Sequence, residues 1–354
     1  MNEYLSKKIR ILSFISILLV VLLHSFNVGY QHETNILPIQ SLNDYIQFFF
    51  SQGITRIAVP LFFLISGYLF YQNIHKGSLF EFQKKYKSRF NSLLVPYIFW
   101  SVFSLVFYIV VAKLVHHPIP NKILFHIFVE PMAFQLWFVR DLVILVIISP
   151  IIYYLTKWFK SILIILLIVL WLTLKYFIPS LSTIICNEPI TDDIYTAIVF
   201  FCIGAYLAIH KQNILLTRHA NSNIYIYIWI ILLIAKTTLL AISFSNTYII
   251  FLLHQISIII GIIAVWNLYD IICEKTFLKK YYWLTSYTFF IYVFHEPLQS
   301  FLKKAYISIA GKGNISLLIC YFLTPIIAIT ISIIVAHYLK KLLPKFYCVI
   351  TGKR

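Results

Sequence analysis

Long apolar runs broken by short polar stretches are the dominant pattern along this chain. Runs near or above the ~20 residues that a helix needs to cross the hydrocarbon of a bilayer predict spans over 9–28, 50–73, 92–114, 135–156, 161–178, 194–210, 223–244, 247–269, 282–302 and 315–339. The predicted fold is all-α, a polytopic membrane helix bundle of about ten transmembrane helices. The first run is longer than a signal-peptide core and carries no small-residue cleavage site, so it reads as the first span. No polar break is long enough to fold alone, and residues 1–354 are expected to form a single transmembrane domain.

One polar break has a character of its own. Within 75–91, Phe80, Phe82, Tyr86 and Phe90 alternate with Lys84, Lys85, Lys87 and Arg89. This reads either as an amphipathic helix lying on the cytoplasmic membrane surface or as an ordinary loop that collects positive charge.

Composition excludes a soluble globular class. Hydrophobic residues make up 61% of the chain and charged residues 12%, more apolar side chain than a soluble domain can keep from water. A formal net charge of +17 would suit a nucleic-acid binder, but in a membrane protein basic residues gather in cytoplasmic loops. With the N-terminus inside, Lys7, Lys8 and Arg10, the 84–89 cluster, Lys157 and Lys160, Lys275 to Lys280 and Lys340 to Arg354 fall on the inner side. The outer segment 27–52 holds no Lys or Arg. Both termini are therefore expected in the cytoplasm, with the lipid bilayer and not nucleic acid as partner. Lys303, Lys304 and Lys312 run against this scheme, because they would follow the ninth span on the outer side. The scattered cysteines, Cys186, Cys202, Cys273, Cys320 and Cys348, form no CxxC pair, so neither a disulfide framework nor a metal site is expected.

Ionisable groups inside a bilayer need a partner, a wet cavity or a function. His24 lies about 21 Å beyond Arg10 at helical rise, in otherwise apolar surroundings. Arg56, the pair Arg140 and Asp141, His254, and the pair His295 and Glu296 fall at similar depth on other predicted spans. A shared depth points to a polar cavity in the outer half of the membrane. Arg56, Arg140 and Asp141 also suit interface anchors that snorkel from helix ends, and His254 suits a hydrogen-bonded bundle histidine. His24 and the His295-Glu296-Pro297 sequence favour function, the second because a proline opens backbone groups beside it. Histidine is the natural base near neutral pH, and an arginine can stabilise a developing oxyanion. These residue types suffice for acyl transfer; they would equally serve a proton relay in a transporter.

The motifs narrow the choice. Arg10–Ser25 resembles the opening helix of the acyltransferase 3 family of membrane acyltransferases, and Thr55–Phe70, with Arg56 and Ser66-Gly67, resembles its second-helix signature. Leu93–Trp100, Leu136–Leu142 with Ser149-Pro150, Phe200–Tyr206 and Thr288–Pro297 are similar to further family segments, in family order. Where the family often carries an arginine in the first helix this chain has Ser13, with Arg10 one turn away.

The resemblance implies an O-acyltransferase in the bacterial inner membrane. It would move an acyl group, acetyl in most members, from cytoplasmic acyl-CoA to a hydroxyl of a surface polysaccharide or its lipid-linked precursor. Glycan-synthesis machinery is an implied partner, and no bound cofactor or metal is implied. His24 corresponds to the family's catalytic histidine. His295 and Glu296 would orient it or shuttle its proton. Arg56, Arg140 and Asp141 would bind substrate, while Arg10, Lys84, Lys85, Lys87 and Arg89 would meet the phosphates of acyl-CoA. The rival readings are an exporter of glycan intermediates and a non-catalytic partner of a polysaccharide synthase.

Overall fold

The structure is a computed structural model and describes residues 2–30, 39–114, 116, 118–119, 122–177, 194–217, 223–272 and 280–353. Among these residues every regular element is helical. The main helices are α1 (Glu3–His24), α2 (Leu42–Ser51), α3 (Ala58–Tyr71), α4 (Leu79–Arg89), α5 (Val95–Leu114), α6 (Ile123–Phe128), α7 (Trp137–Ile147), α8 (Ser149–Phe177), α9 (Ile194–His210), α10 (Asn223–Ala241), α11 (Thr247–Ile272), α12 (Thr288–Ala310), α13 (Asn314–Leu342) and α14 (Pro344–Ile350). Among the described residues, six segments are long and apolar enough to cross a membrane: Leu42–Tyr71, Leu79–Leu114, Ser149–Thr173, Asn223–Ala241, Thr247–Ile272 and Asn314–Leu342. The chain is an all-α polytopic membrane bundle. Helices α1 and α12 are more charged, with Lys7, Lys8 and Arg10 on one and Glu296, Lys303 and Lys304 on the other.

The boundaries differ from the apolar runs where backbone chemistry intervenes. The run 50–73 is entered through α2, whose N-terminus is closed by a reciprocal Ser41–Asp44 capping box. A break at Gln52-Gly53 then leads through a tight turn, Ile54–Ile57, into α3. The run 135–156 is not one helix: α7 ends at Ile147, and α8 begins at Ser149, immediately before Pro150. A proline suits a first helical turn but not a helix interior. The predicted separation of 135–156 from 161–178 survives only as an interruption within α8, at Lys160 (φ 48°, ψ −127°). Segment 79–89 is helical, not a loop, with a Ser78–Glu81 capping box at its start. It passes into α5 through a π-helical turn, Phe90–Leu94.

The chain divides into two compact units, Met1–Phe62 with Asn213–Ile333, and Phe63–Gln212 with Ile334–Arg354. In the first, α1 packs on α12, and α10 and α11 form a closely packed antiparallel hairpin. In the second, α8 packs on α9. A close crossing of α3 and α9 also lies there. A Cβ on Gly67 would sit 2.2 Å from the Phe201 carbonyl oxygen, and one on Gly204 would sit 2.1 Å from that of Leu64. Small residues at a helix crossing let two backbones approach inside a membrane, where no apolar driving force holds helices together. The glycines of two motifs far apart in sequence thus meet at one contact.

Candidate active site

Helix α1 ends at His24, and the end is held from outside. The last four carbonyls of a helix have no partner in their own ladder, and inside a membrane water cannot supply one. Here Gln299 Nε2 donates to the Val21 oxygen at 2.9 Å, Ser25 Oγ to Leu22 at 2.6 Å, the Phe26 N–H to Leu23 at 3.2 Å, and Lys303 Nζ to His24 at 2.6 Å. Two of these donors come from α12. Gln299 and Lys303, four residues apart on α12 beyond its break at Glu296, form a stripe on one helical face. The stripe fastens the final turn of α1 and fixes where the His24 ring stands.

The two rings meet edge to face, with centroids 5.0 Å apart and His295 Nε2 3.5 Å from His24 Nδ1. Tautomers follow from the acceptors. His24 Nδ1 lies 2.8 Å from the Val20 carbonyl oxygen, and a carbonyl only accepts, so this nitrogen carries the hydrogen. The same holds for His295 Nδ1, which is 2.7 Å from the Tyr292 oxygen and 3.1 Å from that of Ile291. His295 therefore turns a bare Nε2 lone pair toward the His24 N–H, and His24 keeps its own Nε2 lone pair, unused by any hydrogen bond among the described residues. This is the arrangement of an oriented base: one nitrogen anchored, the other open to a substrate proton.

Helix α12 is interrupted beside these rings. Glu296 has extended dihedrals (φ −105°, ψ 136°), the conformation preferred by a residue before proline, because the ring of Pro297 clashes with a helical predecessor. Glu296, Lys303 and Arg56 stand within electrostatic reach of His24.

A second basic group lies in the same unit. Gln52, the C-cap of α2, offers both of its oxygens: Oε1 accepts from Arg56 Nε at 3.0 Å, and the backbone carbonyl accepts from Lys236 Nζ. Lys236 Nζ also lies 3.1 Å from His254 Nδ1. An ammonium has no acceptor, so His254 accepts at Nδ1 and carries its hydrogen on Nε2. Gly53 permits this packing, since a Cβ there would lie 2.2 Å from the Phe49 oxygen and 3.2 Å from Leu233 of α10. Arg56 and Lys236 act on each other electrostatically.

A profile of the acyltransferase 3 family, described as "Acyltransferase domain", matches residues 7–337. The chain belongs to the acyltransferase 3 family. Among similar proteins is the "Succinoglycan biosynthesis protein ExoH" of Rhizobium meliloti (strain 1021), 25% identical over 373 residues that cover 100% of this chain and 94% of the relative. No solved structure matches the chain. Family membership makes this a membrane acyltransferase, the chemistry that an oriented histidine base serves.

Of the residues singled out from sequence, His24, Arg56, His254, His295 and Glu296 belong to the first unit, together with Arg10, which is exposed near the opposite end of α1. His24 and His295 are in contact, and Arg56 and Glu296 are their charged neighbours. His254 is a hydrogen-bonded bundle histidine. Arg140 and Asp141 belong to the second unit and pair with each other: Arg140 Nε and Nη2 reach Asp141 Oδ1 at 2.9 and 2.7 Å, while Nη1 donates to the Val129 oxygen at 2.6 Å. On α4, Lys84 and Lys87 are exposed and Arg89 is half-buried. Lys85 reaches back toward the Leu69 carbonyl, 3.4 Å away, with its Nζ 5.6 Å from the Phe70 ring centre.

Two expectations are corrected. Lys303 and Lys304 do not follow the ninth span as an outward loop, because α12 continues to Ala310 and Lys303 caps α1. Lys8 is no surface charge, since its side chain is fully buried against Asp270 at 2.7 Å. Gln299, Lys303 and Lys236 were missed. The four-residue spacing between Gln299 and Lys303 was a signal for the first two. Lys236 stands within the predicted span 223–244, where the rule that singled out His24 applies to it as well.

Proposed function

We propose that this protein is an O-acyltransferase of the bacterial inner membrane, moving an acyl group, acetyl by family habit, from acyl-CoA to a hydroxyl of a cell-surface polysaccharide or its lipid-linked precursor. Family membership supports acyl transfer, and the name of the similar Rhizobium protein, a succinoglycan biosynthesis protein, supports a polysaccharide acceptor. The observation that carries the reading is the His24 ring, tethered at Nδ1 by the Val20 oxygen, backed by His295 and open at Nε2. In this reading the acceptor hydroxyl gives its proton to His24 Nε2 as its oxygen attacks the thioester carbonyl. The tetrahedral oxyanion forms next to a cation, for which Arg56 is the neighbour available. The C–S bond then breaks, and the CoA thiolate takes the proton back from His24. The imidazolium formed in between is favoured by the Val20 oxygen, the His295 lone pair and the negative end of the α1 dipole.

Lys84, Lys85, Lys87 and Arg89 on α4 form the basic face to which the phosphates of acyl-CoA would bind from the cytoplasm. Both termini are taken as cytoplasmic, on a path of about ten crossings. The test is polysaccharide analysis by mass spectrometry in a strain expressing the wild-type protein or the His24→Ala variant at equal membrane levels. Loss of the acyl mass from the glycan is expected with the variant. Undiminished acylation would remove His24 from catalysis, and an exported glycan that never carries the acyl group would favour the transporter reading.

A further inference from the structure

Helix α4 does not run straight into α5, because the π-helical turn Phe90–Leu94 joins them. Such a turn holds one residue more than an α-turn, so the helix before it is rotated by about 100° relative to the helix after it. That rotation decides where the basic residues of α4 point. With it, Phe82 is buried against Tyr153, with ring centres 5.9 Å apart, and Tyr86 donates to the Ile147 oxygen at 3.1 Å. Lys85 reaches the Leu69 carbonyl. Arg89, one turn further along the same face, is half-buried and makes no hydrogen bond among the described residues. It lies within electrostatic reach of Lys85. No carboxylate among the described residues pairs with either cation; that of Glu81 accepts from the backbone N–H groups of His75, Lys76 and Ser78. Two half-buried cations of this kind suit an oxyanion.

The π-turn, a rare element that frequently marks functional sites, is braced by residues from far along the chain. Helix α14 closes in a Schellman motif: the Lys353 N–H donates to the Cys348 oxygen at 2.7 Å and the Gly352 N–H to that of Val349 at 3.3 Å, with Gly352 at φ 71°. Two residues of α5 anchor this hook. Trp100 Nε1 donates to the buried Ile350 oxygen at 3.0 Å, and the Phe99 and Phe346 ring centres are 5.6 Å apart. The hook ends on the π-turn itself. A Cβ on Gly352 would sit 2.5 Å from the Ser92 oxygen and 2.8 Å from its Cα, so a glycine is what lets the two backbones meet. We infer that Gly352 is a positioning residue for the basic face of α4. Seated on Ser92, it holds Phe90–Leu94 in the π form and so keeps Lys85 and Arg89 aimed at the phosphates of the acyl donor. Gly352 itself touches no substrate. This role rests on the acyl-CoA reading of α4.

Calorimetric titration of the full-length protein in nanodiscs with coenzyme A tests it. The wild type is expected to bind, and Arg89→Ala to bind about tenfold or more weakly. Gly352→Ala, which forces a methyl group against Ser92, is expected to weaken binding as well. The two losses should not add in the Gly352→Ala, Arg89→Ala double variant, because the first acts through the second; a general structural defect would add to it. Should Gly352→Ala fail to fold, as judged by its melting curve, Trp100→Phe, which unties the Ile350 oxygen, is read in the same way. Wild-type binding that Gly352→Ala leaves intact, or losses that add in full, would overturn the inference and leave the acyl-CoA reading standing. A wild type that binds no coenzyme A would overturn both.

Discussion

Two lysines are buried in the first unit, in opposite company. Lys8, on α1, is fully enclosed: its Nζ lies 2.7 Å from Asp270 of α11 and 4.6 Å from the centre of the Trp266 ring, and the Tyr4 hydroxyl donates to the same carboxylate. Lys236, on α10, is nearly as buried but meets a carbonyl, an imidazole and the field of an arginine. A charge matched by its opposite and wrapped in aromatic rings joins two helices and has no further capacity. A charge surrounded by neutral or like-charged groups retains the capacity to bind. The same contrast runs along α1, from the sealed Lys8 near its start to the open Nε2 of His24 at its end. Burial alone does not distinguish architecture from chemistry; the identity of the partners does.

The contrast is open to attack at several points. The largest effect belongs to the open end of α1. His24→Ala should lower acyl transfer by a factor of about 100 to 10,000, the usual contribution of a positioned general base, with little change in the melting temperature of the purified protein. A large fall in melting temperature would instead class His24 with the architecture. Next comes the sealed pair. Lys8→Met should destabilise the protein by about 3–5 kcal/mol, because it removes the ammonium that faces the buried Asp270 carboxylate, and the Lys8→Met, Asp270→Leu double variant should recover most of that loss in the same unfolding assay. Lys303→Met uncovers the His24 carbonyl, and a buried acceptor without a donor costs about 1–3 kcal/mol. A fall in transfer rate should accompany it, because the final turn of α1 is no longer fastened. The smallest effect is expected at Lys236→Met, the same substitution as at Lys8. Its melting temperature should fall by less than that of Lys8→Met, because the substitution uncovers the Gln52 carbonyl but strands no carboxylate. Equal losses at the two lysines would erase the distinction between them.

Much of the bundle is legible along the chain, since apolar length and turn chemistry are local properties. The runs at 223–244, 247–269 and 315–339 correspond to α10, α11 and α13 within a few residues. Where the reading slipped, a proline or a glycine had changed the backbone inside an apolar run, as at Ser149-Pro150 and Gln52-Gly53. His24, His295 and Glu296 stood out because ionisable groups in hydrocarbon demand an explanation. Arg140 and Asp141 stood out for the same reason, and their mutual pairing is the simplest answer to it. Lys8 was assigned to the cytoplasmic charge by its position near the N-terminus, although a lysine with a carboxylate one helix away has no need of water. Lys303 was misplaced because the length of α12 cannot be judged once its apolar run gives way to polar residues that face other helices.

The sequence by itself determined the class of molecule, the family and the residues most in need of explanation, because each follows from composition, from motif order or from the cost of charge in lipid. Only the tertiary structure decided which of those residues meet. The His24–His295 contact joins positions 271 apart in the chain, the α12 stripe closes the end of α1, and two buried lysines are told apart by one carboxylate. The physical reason is that a titratable side chain takes its role from the donors and acceptors within hydrogen-bond reach. In a helix bundle those belong to other helices, whose identity no local pattern records.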